Sequence, residues 1–249
     1  MLSGRWSDQT GNCRSKYSME PCTNTTSPCA YQIDRHCLIC GRPAARPFMI
    51  IETRSYWRCH ACQATFLDPA HRISTEEEYT LYCQHRNEPD DPRYRHFLSK
   101  LAGPLLQRLP PKAKGLDYGC GPGPALPCML RQAGHRVSLF DVHFSPDRKP
   151  LDDFFDFITC SEAIEHFHHP AKEFRCFDRI LRPGGWLALM TCFQTDDSRF
   201  ASWHYRRDLT HVVFYREATL RYLARDFGWS CEIPEKNVAL MRKPWSIQE

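Results

Sequence analysis

The stretch Gly115-Leu-Asp-Tyr-Gly-Cys-Gly-Pro-Gly-Pro124 decides the fold of this chain. Its apolar beginning reaches Asp117, and glycines follow at every second position after Tyr118: Gly119, Gly121 and Gly123. A strand that runs into alternating glycines has no side chains to keep a ligand away. Its backbone N–H groups and the N-terminus of the next helix can therefore approach a bound cofactor closely. A glycine-rich turn without a ligand is the alternative interpretation.

The spacing of the glycines separates two kinds of cofactor. The dinucleotide fingerprint Gly-x-Gly-x-x-Gly/Ala does not fit, because counting from Gly119 puts Pro124 in the third position and counting from Gly121 puts Leu126 there. The pattern present, Asp-x-Gly-x-Gly-x-Gly, resembles motif I of the class I S-adenosylmethionine (SAM) dependent methyltransferases. The resemblance implies that the loop wraps the methionine end of SAM and that Asp117 helps to hold its amino group. A carboxylate attracts an ammonium, whereas it would repel a pyrophosphate.

From Lys114 onward strands and helices alternate, which predicts an α/β doubly wound sheet. The strands are expected at 114–118, 137–140, 155–160, 186–191, 229–233 and 238–241, and the helices at about 125–133, 170–181 and 220–227. The closing pair of strands distinguishes a Rossmann-like class I methyltransferase sheet from a dehydrogenase sheet. Only 13 residues separate Asp141 from Phe155, so the helix and strand usual in that family after the second strand must be trimmed or missing.

Asp141 ends the second predicted strand and lies 22 positions after Gly119. This is close to the ~20 residues expected for a carboxylate that binds ribose hydroxyls, although a solvated loop aspartate is also possible. Phe144 is a candidate for covering the adenine ring, and Asp152 or Asp153 for meeting its amino group.

The strand at 155–160 leads into Ser161-Glu-Ala-Ile-Glu-His166, and the chain later reaches Leu181-Arg-Pro-Gly-Gly185. Both segments resemble methyltransferases of the ubiquinone/menaquinone-biosynthesis type, in which the first lines the mouth of the active site. The resemblance makes Ser161 and Glu162 candidate cofactor contacts and His166 a candidate base. A histidine that only packs on its own loop is an equally good interpretation of His166.

The segment 203–215 concentrates aromatic, basic and histidine side chains after the fifth predicted strand. Related methyltransferases place a histidine-containing lid here, so Tyr205, Arg207 and His211 are candidate substrate contacts, and Tyr205 and His211 candidate catalytic residues. Cys160 and Cys192 near the same edge are expected to pack in strands. The sequence after the fourth strand lacks the Asn/Asp-Pro-Pro-Tyr-like turn of enzymes that methylate exocyclic amines of bases.

Two Cys-x-x-Cys pairs precede this domain, Cys37/Cys40 and Cys59/Cys62, and 18 residues lie between them. That gap is within the ~15–20 residues typical of a zinc site, and four thiolates would close a tetrahedral shell around a structural Zn²⁺. The module thus resembles a zinc ribbon. A redox pair would leave the second Cys-x-x-Cys unexplained. His36 or His60 could replace one thiolate.

Composition sets the remaining expectations. The 249 residues carry a net charge of +4, with 42% hydrophobic and 25% charged residues, as in ordinary globular proteins. No apolar run approaches the ~18 residues of a membrane span. Fourteen cysteines without a secretion signal favour the reducing cytoplasm. We expect a disordered leader at 1–33, the zinc-ribbon-like module at 34–70, a helical connector at 71–111 and the SAM-binding domain at 112–249. In the connector, Ser74 and Glu77 have the spacing of a capping box, and Tyr94 and Phe97 follow a helical period that predicts packing in the core.

These features favour a SAM-dependent methyltransferase that acts on a small-molecule or metabolite-like acceptor. A ribosomal RNA methyltransferase with a zinc recognition module is an alternative, but the weak net charge and the lack of a basic stripe count against nucleic acid. A non-catalytic scaffold that binds zinc and SAM is a third possibility. The sequence leaves the oligomeric state open.

Overall fold

The computed structural model describes residues 35–84 and 87–245, so the predicted leader lies outside the described residues. The first part of the chain forms small antiparallel strands and then two helices. In chain order these are β1 (Arg35–His36), β2 (Pro43–Ile51), β3 (Arg54–Cys59), β4 (Thr65–Leu67), α1 (Thr75–Tyr82) and α2 (Pro92–Leu106). Ser74 and Glu77 form the expected capping box, which satisfies two free N–H groups at the start of α1.

A second sheet follows from Lys114. Its elements are β5 (Lys114–Tyr118), α3 (Ala125–Gln132), β6 (Arg136–Phe140), β7 (Phe155–Ser161), α4 (Pro170–Ile180), β8 (Leu181–Met190), α5 (His204–Arg207), β9 (Val213–Phe214), α6 (Glu217–Asp226), β10 (Ser230–Glu235) and β11 (Val238–Arg242). Six strands pair in the order β10-β11-β8-β7-β5-β6. Strands β5 to β8 are parallel, whereas β11 runs antiparallel to both of its neighbours. The predicted Rossmann-like methyltransferase sheet with a closing antiparallel pair is confirmed.

The trimmed region is confirmed as well. Between β6 and β7 the described chain holds one short 3₁₀ helix, Lys149–Asp152, and no strand that joins the sheet. Strand β6 is therefore the edge of the sheet, next to β5. The side of the sheet that usually carries one more strand is open here.

Helices cover both faces of this sheet because its strands alternate apolar side chains between the faces. On β7, Phe157 packs with the buried leucines of α2 and α3, while its neighbour Ile158 packs with Phe174 and Phe177 of α4 on the other face. Helices α2, α3, α4 and α6 thus complete a layered α/β unit around this sheet.

The N-terminal strands and the methyltransferase sheet share one continuous core. Tyr56 and Phe66 of the N-terminal strands lie in the same buried cluster as Phe174 and Tyr215. Strand β9, from the segment after β8, pairs antiparallel with β4, with Phe66 opposite Val213. The small sheet therefore has the order β1-β2-β3-β4-β9 and contains residues separated by about 180 positions.

Two local expectations differ from the structure. Strand β8 begins at Leu181 rather than at Trp186, because the Arg-Pro-Gly-Gly segment already runs beside β7, with an irregularity in the pairing. Phe97, expected in the core, is 37% exposed and lines a cavity with Tyr94. None of the helices in the described ranges combines the length and apolar character needed to cross a bilayer.

Candidate functional site

The glycine-rich loop turns sharply where β5 ends. Gly119 has φ +77° and Gly121 has φ +60°, a left-handed conformation that side-chain-bearing residues rarely adopt. A Cβ on Gly119 would lie 2.6 Å from the Cβ of Ala163, whereas a Cβ on Gly121 would meet nothing within 4 Å. The loop is thus held tightly on the β7 side and is open at Gly121.

A cavity of about 830 Å³ lies at the carboxyl ends of β5, β6 and β7. This is the edge at which open α/β sheets bind ligands. Its walls include predicted site residues from four separate parts of the sequence: Asp117, Gly119, Gly121, Gly123, Asp141, Phe144, Ser161, Glu162, His166 and His211. The structure therefore brings together ten of the eleven predicted cofactor and catalytic residues, and the remaining one, Tyr205, lines a smaller cavity of about 180 Å³ that shares Glu162.

Asp117 is 4% exposed and sits at the floor of the large cavity, where the hydroxyl of Thr159 donates a hydrogen bond to its Oδ1. Burial raises the pKa of this carboxyl to about 7 because the charged form loses its hydration. A cation bound beside Asp117 would restore the ionised form.

Asp141 fixes the loop to the end of β6. Its Oδ2 accepts a hydrogen bond of 3.0 Å from the N–H of Gly121, and its Oδ1 accepts from the N–H groups of His143 and Phe144 at 2.8 and 3.0 Å. The carboxylate is thereby oriented at the cavity wall. Asp153, the weaker candidate for the adenine side, pairs with Lys114 at the opposite, amino end of β5.

Ser161 and Glu162 form the turn that leaves β7. The Oγ of Ser161 is buried without a hydrogen-bond partner among the described residues, although it lines the large cavity. Glu162 has φ +47°, a strained conformation for a residue with a side chain, and burial raises its pKa to about 7. A buried hydroxyl without a partner and a strained backbone at the same turn are typical of a ligand-binding position.

Glu165 is a candidate site residue that the sequence indicates only as part of the segment 161–166. It is fully buried and accepts hydrogen bonds from the hydroxyls of Thr191, at 3.0 Å, and Tyr205. Burial first, and the nearby charge of Glu162 second, raise its pKa to about 7. Because Tyr205 also approaches Glu162 at 3.3 Å, one phenol connects the two carboxyl groups. Burial and these carboxylates hold the pKa of Tyr205 far above its ordinary value.

The two predicted histidines lie side by side, with ring centroids 4.7 Å apart. The Nδ1 of His166 is 3.1 Å from the carbonyl oxygen of Thr210, and the Nδ1 of His211 is 2.7 Å from that of Tyr205. A carbonyl only accepts, so each Nδ1 carries the hydrogen, and Nε2 is the basic atom of each neutral ring. Arg207, in contrast, is exposed and lines neither cavity.

Three aromatic side chains from α1 and α2 complete the wall: Tyr82, Tyr94 and Phe97. The helical period had placed Tyr94 and Phe97 in the core, since a periodicity shows one apolar face but not what that face meets. Of these, Tyr82 contacts the segment that follows β7, because its ring centroid lies 5.3 Å from that of His166.

The four cysteines converge in the turns next to the ends of β1 and β3. The sulfurs of Cys37 and Cys62 are 3.6 Å apart, those of Cys40 and Cys59 are 3.7 Å apart, and all four lie within 4.8 Å of one another. Sulfurs on a tetrahedron of Zn–S bonds of ~2.3 Å would be about 3.8 Å apart. The N–H groups of Ile39 and Cys62 point at two of the sulfurs, as expected for metal-binding turns.

The sheet order, the glycine loop and the cavity at the carboxyl edge define the fold of a class I SAM-dependent methyltransferase. The sequence profile of a family described as "Methyltransferase domain" matches residues 89–232, more than half of the chain. The chain belongs to this methyltransferase-domain family.

Two solved structures are among those that match this chain. An O-methyltransferase family protein from Burkholderia thailandensis is 16% identical with a TM-score of 0.46, and the match covers 76% of this chain and 66% of that chain. The 1,6-didemethyltoxoflavin-N1-methyltransferase of the same bacterium, solved with 1,6-didemethyltoxoflavin and S-adenosylhomocysteine, is 19% identical with a TM-score of 0.46; the match covers 80% of this chain and 99% of that chain. The chain thus spans just under two thirds of the first of these relatives. Curated proteins yield no significant match.

Proposed function

We propose that this enzyme transfers the methyl group of SAM to a small-molecule acceptor held in the same cavity. One observation carries the proposal. The 830 Å³ cavity is lined on one side by the glycine loop and Asp141 and on the other by Glu162, Glu165, His166 and His211. A single cavity of this size suits a cofactor and a small acceptor better than a nucleic-acid strand.

The residues present fit SAM. Asp117 would hold the amino group, because a cation offsets the cost of ionising this buried carboxyl. The unpartnered Oγ of Ser161 would gain a hydrogen bond, and Asp141 would accept from the ribose hydroxyls, as a two-oxygen acceptor matches a vicinal diol. When bound, SAM supplies an electrophilic methyl group on a sulfonium.

The chain's own residues would position the acceptor and handle its proton. Transfer is an in-line displacement, so holding the nucleophile close to the methyl carbon provides most of the acceleration. Nε2 of His166 or His211 would accept a proton from the acceptor, since Nδ1 of each ring is engaged with a carbonyl. Tyr205 would stay protonated and orient Glu165 by donating its hydrogen bond to that carboxylate, with Glu162 3.3 Å from the same hydroxyl.

We further propose that Cys37, Cys40, Cys59 and Cys62 bind a structural Zn²⁺ and form a zinc-ribbon-like module, which braces the lid over the cavity. The support is the pairing of β4 with β9, which begins two residues after His211. Thiolate ligands must stay reduced for this role, which favours a cytoplasmic location. The similarity to ubiquinone/menaquinone-type enzymes and the boundaries at residues 34–70, 71–111 and 112–249 belong to the same proposal.

Calorimetry with SAM between pH 5.5 and 7.5 tests the cofactor site. Asp117 has a pKa of about 7 in the free protein and must ionise to hold the ammonium, so binding at lower pH has to release a proton. The amino group itself, with an ordinary pKa of ~7.7–8.0, stays mostly protonated in this range. We expect the Kd for SAM to rise about 20-fold from pH 7.5 to pH 5.5.

Asp117→Asn is the matched control, because an amide keeps an oxygen for Thr159 but has no proton to release. This variant should bind SAM weakly at pH 7.5, and its Kd should change much less with pH. If neither SAM nor S-adenosylhomocysteine binds at any pH, the proposed function is wrong.

A further inference from the structure

We propose that Glu165, His166 and His211 form a second metal site, distinct from the four cysteines, which holds a divalent cation at the acceptor end of the cavity. One ligand atom from each of these three side chains can be chosen so that all lie within 4.8 Å of one another. All three residues line the large cavity, so the site is accessible to an acceptor. This inference rests on the methyl transfer proposed above and changes one step of it. Because Nε2 of both histidines would bind the cation, water rather than a histidine would take the proton of the acceptor.

The orientation of the two histidines is that of metal ligands. Metal-binding histidines commonly donate their other ring N–H to a carbonyl or carboxylate, which fixes the tautomer and directs the basic nitrogen at the ion. His166 donates from Nδ1 to the carbonyl of Thr210 and His211 donates from Nδ1 to the carbonyl of Tyr205. Both rings therefore offer Nε2, and the Nε2 of His166 lies 4.0 Å from Oε1 of Glu165.

The carboxylate is oriented in the same manner. The hydroxyls of Thr191 and Tyr205 each donate to one oxygen of Glu165, which fixes its plane and leaves lone pairs on both oxygens. Among the described residues neither Lys nor Arg forms an ion pair with Glu165. A buried carboxylate of this kind, beside Glu162, would gain a countercharge from a cation.

The spacing needs only a small contraction. An ion equidistant from three atoms separated by 4.8 Å would lie about 2.8 Å from each, against ~2.0–2.2 Å for histidine and carboxylate ligands of zinc. Side-chain rotations that move each ligand atom by about 0.7 Å would close the difference. Asp208, whose Oδ2 is 3.9 Å from Nε2 of His211, is near enough to supply a further oxygen.

Two histidines and one carboxylate leave coordination positions open, in contrast to a closed four-cysteine shell. The acceptor that fits such a site is a compound with two neighbouring oxygen atoms, of which one is a hydroxyl. Binding to a cation lowers the pKa of a hydroxyl, as it does for metal-bound water. The acceptor oxygen then loses its proton to water and bonds to the methyl carbon while the carbon–sulfur bond breaks, which converts the sulfonium to a neutral thioether.

Titration of the zinc-loaded full-length protein with Mn²⁺, followed by the electron paramagnetic resonance signal of free Mn²⁺, tests the site. Mn²⁺ prefers oxygen donors to thiolates, and the protein is loaded with only one zinc per chain, which the four thiolates bind, so the second site stays open to Mn²⁺. We expect one bound Mn²⁺ per chain. Because loss of an outer partner alone costs 10–100-fold in metal affinity, Thr191→Val should weaken binding within about that range, and His211→Ala and Glu165→Gln by about 100-fold or more.

His204→Ala is the matched control, since this exposed histidine lies on α5 outside the cluster, and its Mn²⁺ affinity should be unchanged. Glu165→Gln keeps the size of the side chain, so it answers the question even if His211→Ala misfolds. Absence of Mn²⁺ binding, or binding that survives both variants, would overturn the metal site. SAM calorimetry on the same samples separates this result from failure of the methyltransferase proposal, because SAM binding without Mn²⁺ binding removes only the metal.

Catechol is a suitable probe for the acceptor class, because it has two adjacent hydroxyls. Added to the Mn²⁺-loaded protein, it should broaden the signal of bound Mn²⁺, whereas 1,2-dimethoxybenzene should not. An identical response to both compounds would contradict the chelated-oxygen acceptor.

Discussion

Cys40→Ser is expected to release zinc from the protein and to expose the backbone amide of Leu67 to rapid hydrogen exchange. Metal analysis should fall from one zinc per chain to well below that value. The amide of Leu67 donates to the carbonyl of Val212 at 2.9 Å, next to the pairing of β4 with β9. Its exchange therefore measures whether the strands that connect the cysteines to the lid remain paired.

The expected size of this effect follows from how the N-terminal strands are held together. Cys37, Cys59 and Cys62 are almost fully buried, and they lie at the ends of β1 and β3 and in the turn after β3, so the metal would hold these strand ends together. Loss of a structural metal belongs to the few changes that destabilise a protein by more than about 4 kcal/mol. Since β9 begins two residues after His211, the lid histidine should lose its position when the pairing opens.

Cys40→Ser should change the affinity for SAM much less than it changes the hydrogen exchange of the Leu67 amide. The glycine loop lies between β5 and α3, and neither β5 nor β6 pairs with the small sheet. Cys231→Ser is the matched control, because this half-buried cysteine lies far from the cluster in sequence and pairs within β10 and β11. A Cys40→Ser protein that keeps zinc, or that loses zinc while Leu67 stays protected, would contradict the bracing role.

The parts of the fold that were predictable from sequence are those that short-range chemistry determines. Strand β5 was predicted at 114–118 and lies at Lys114–Tyr118, because a proline pair limits it on one side and glycines on the other. The missing strand after β6 followed from chain length alone, since 13 residues cannot hold a helix and a strand. The spacing of the cysteines likewise predicted sulfurs that converge.

The contacts that sequence could not predict join segments that are far apart in the chain. Nothing in Val213 and Phe214 indicates that they pair with β4, because strand pairing depends on tertiary contacts rather than on local propensity. Glu165 was recognisable as part of a motif, but its role depends on Tyr205, 40 residues later, and on Thr191. Phe97 follows the period of the apolar face of α2, yet its side chain lies at a cavity, whereas Leu98 and Leu101 of the same helix are buried in the core.

Asp141→Ala is expected to weaken SAM binding by about 1.5–3 kcal/mol, the range for a lost hydrogen bond to a charged group. This corresponds to a rise in Kd of about 10- to 150-fold, which calorimetry at pH 7.5 measures directly. Asp147→Ala is the control, since Asp147 is exposed in the same loop and lines neither cavity, so it should bind SAM normally. Unchanged affinity in Asp141→Ala would remove this residue from the site.

Asp141 also accepts hydrogen bonds from the N–H groups of Gly121, His143 and Phe144, so the loss could come from a loosened loop rather than from the ribose. A thermodynamic cycle separates the two causes: the Kd values of S-adenosylhomocysteine and of its 2′-deoxy form are compared in the unaltered protein and in Asp141→Ala. If the carboxylate binds the ribose, the deoxy ligand should bind the unaltered protein more weakly than S-adenosylhomocysteine does, and the difference should disappear in Asp141→Ala. If the carboxylate only fixes the loop, the two ligands should differ equally in both proteins, and Asp141 would then act on SAM through Gly121.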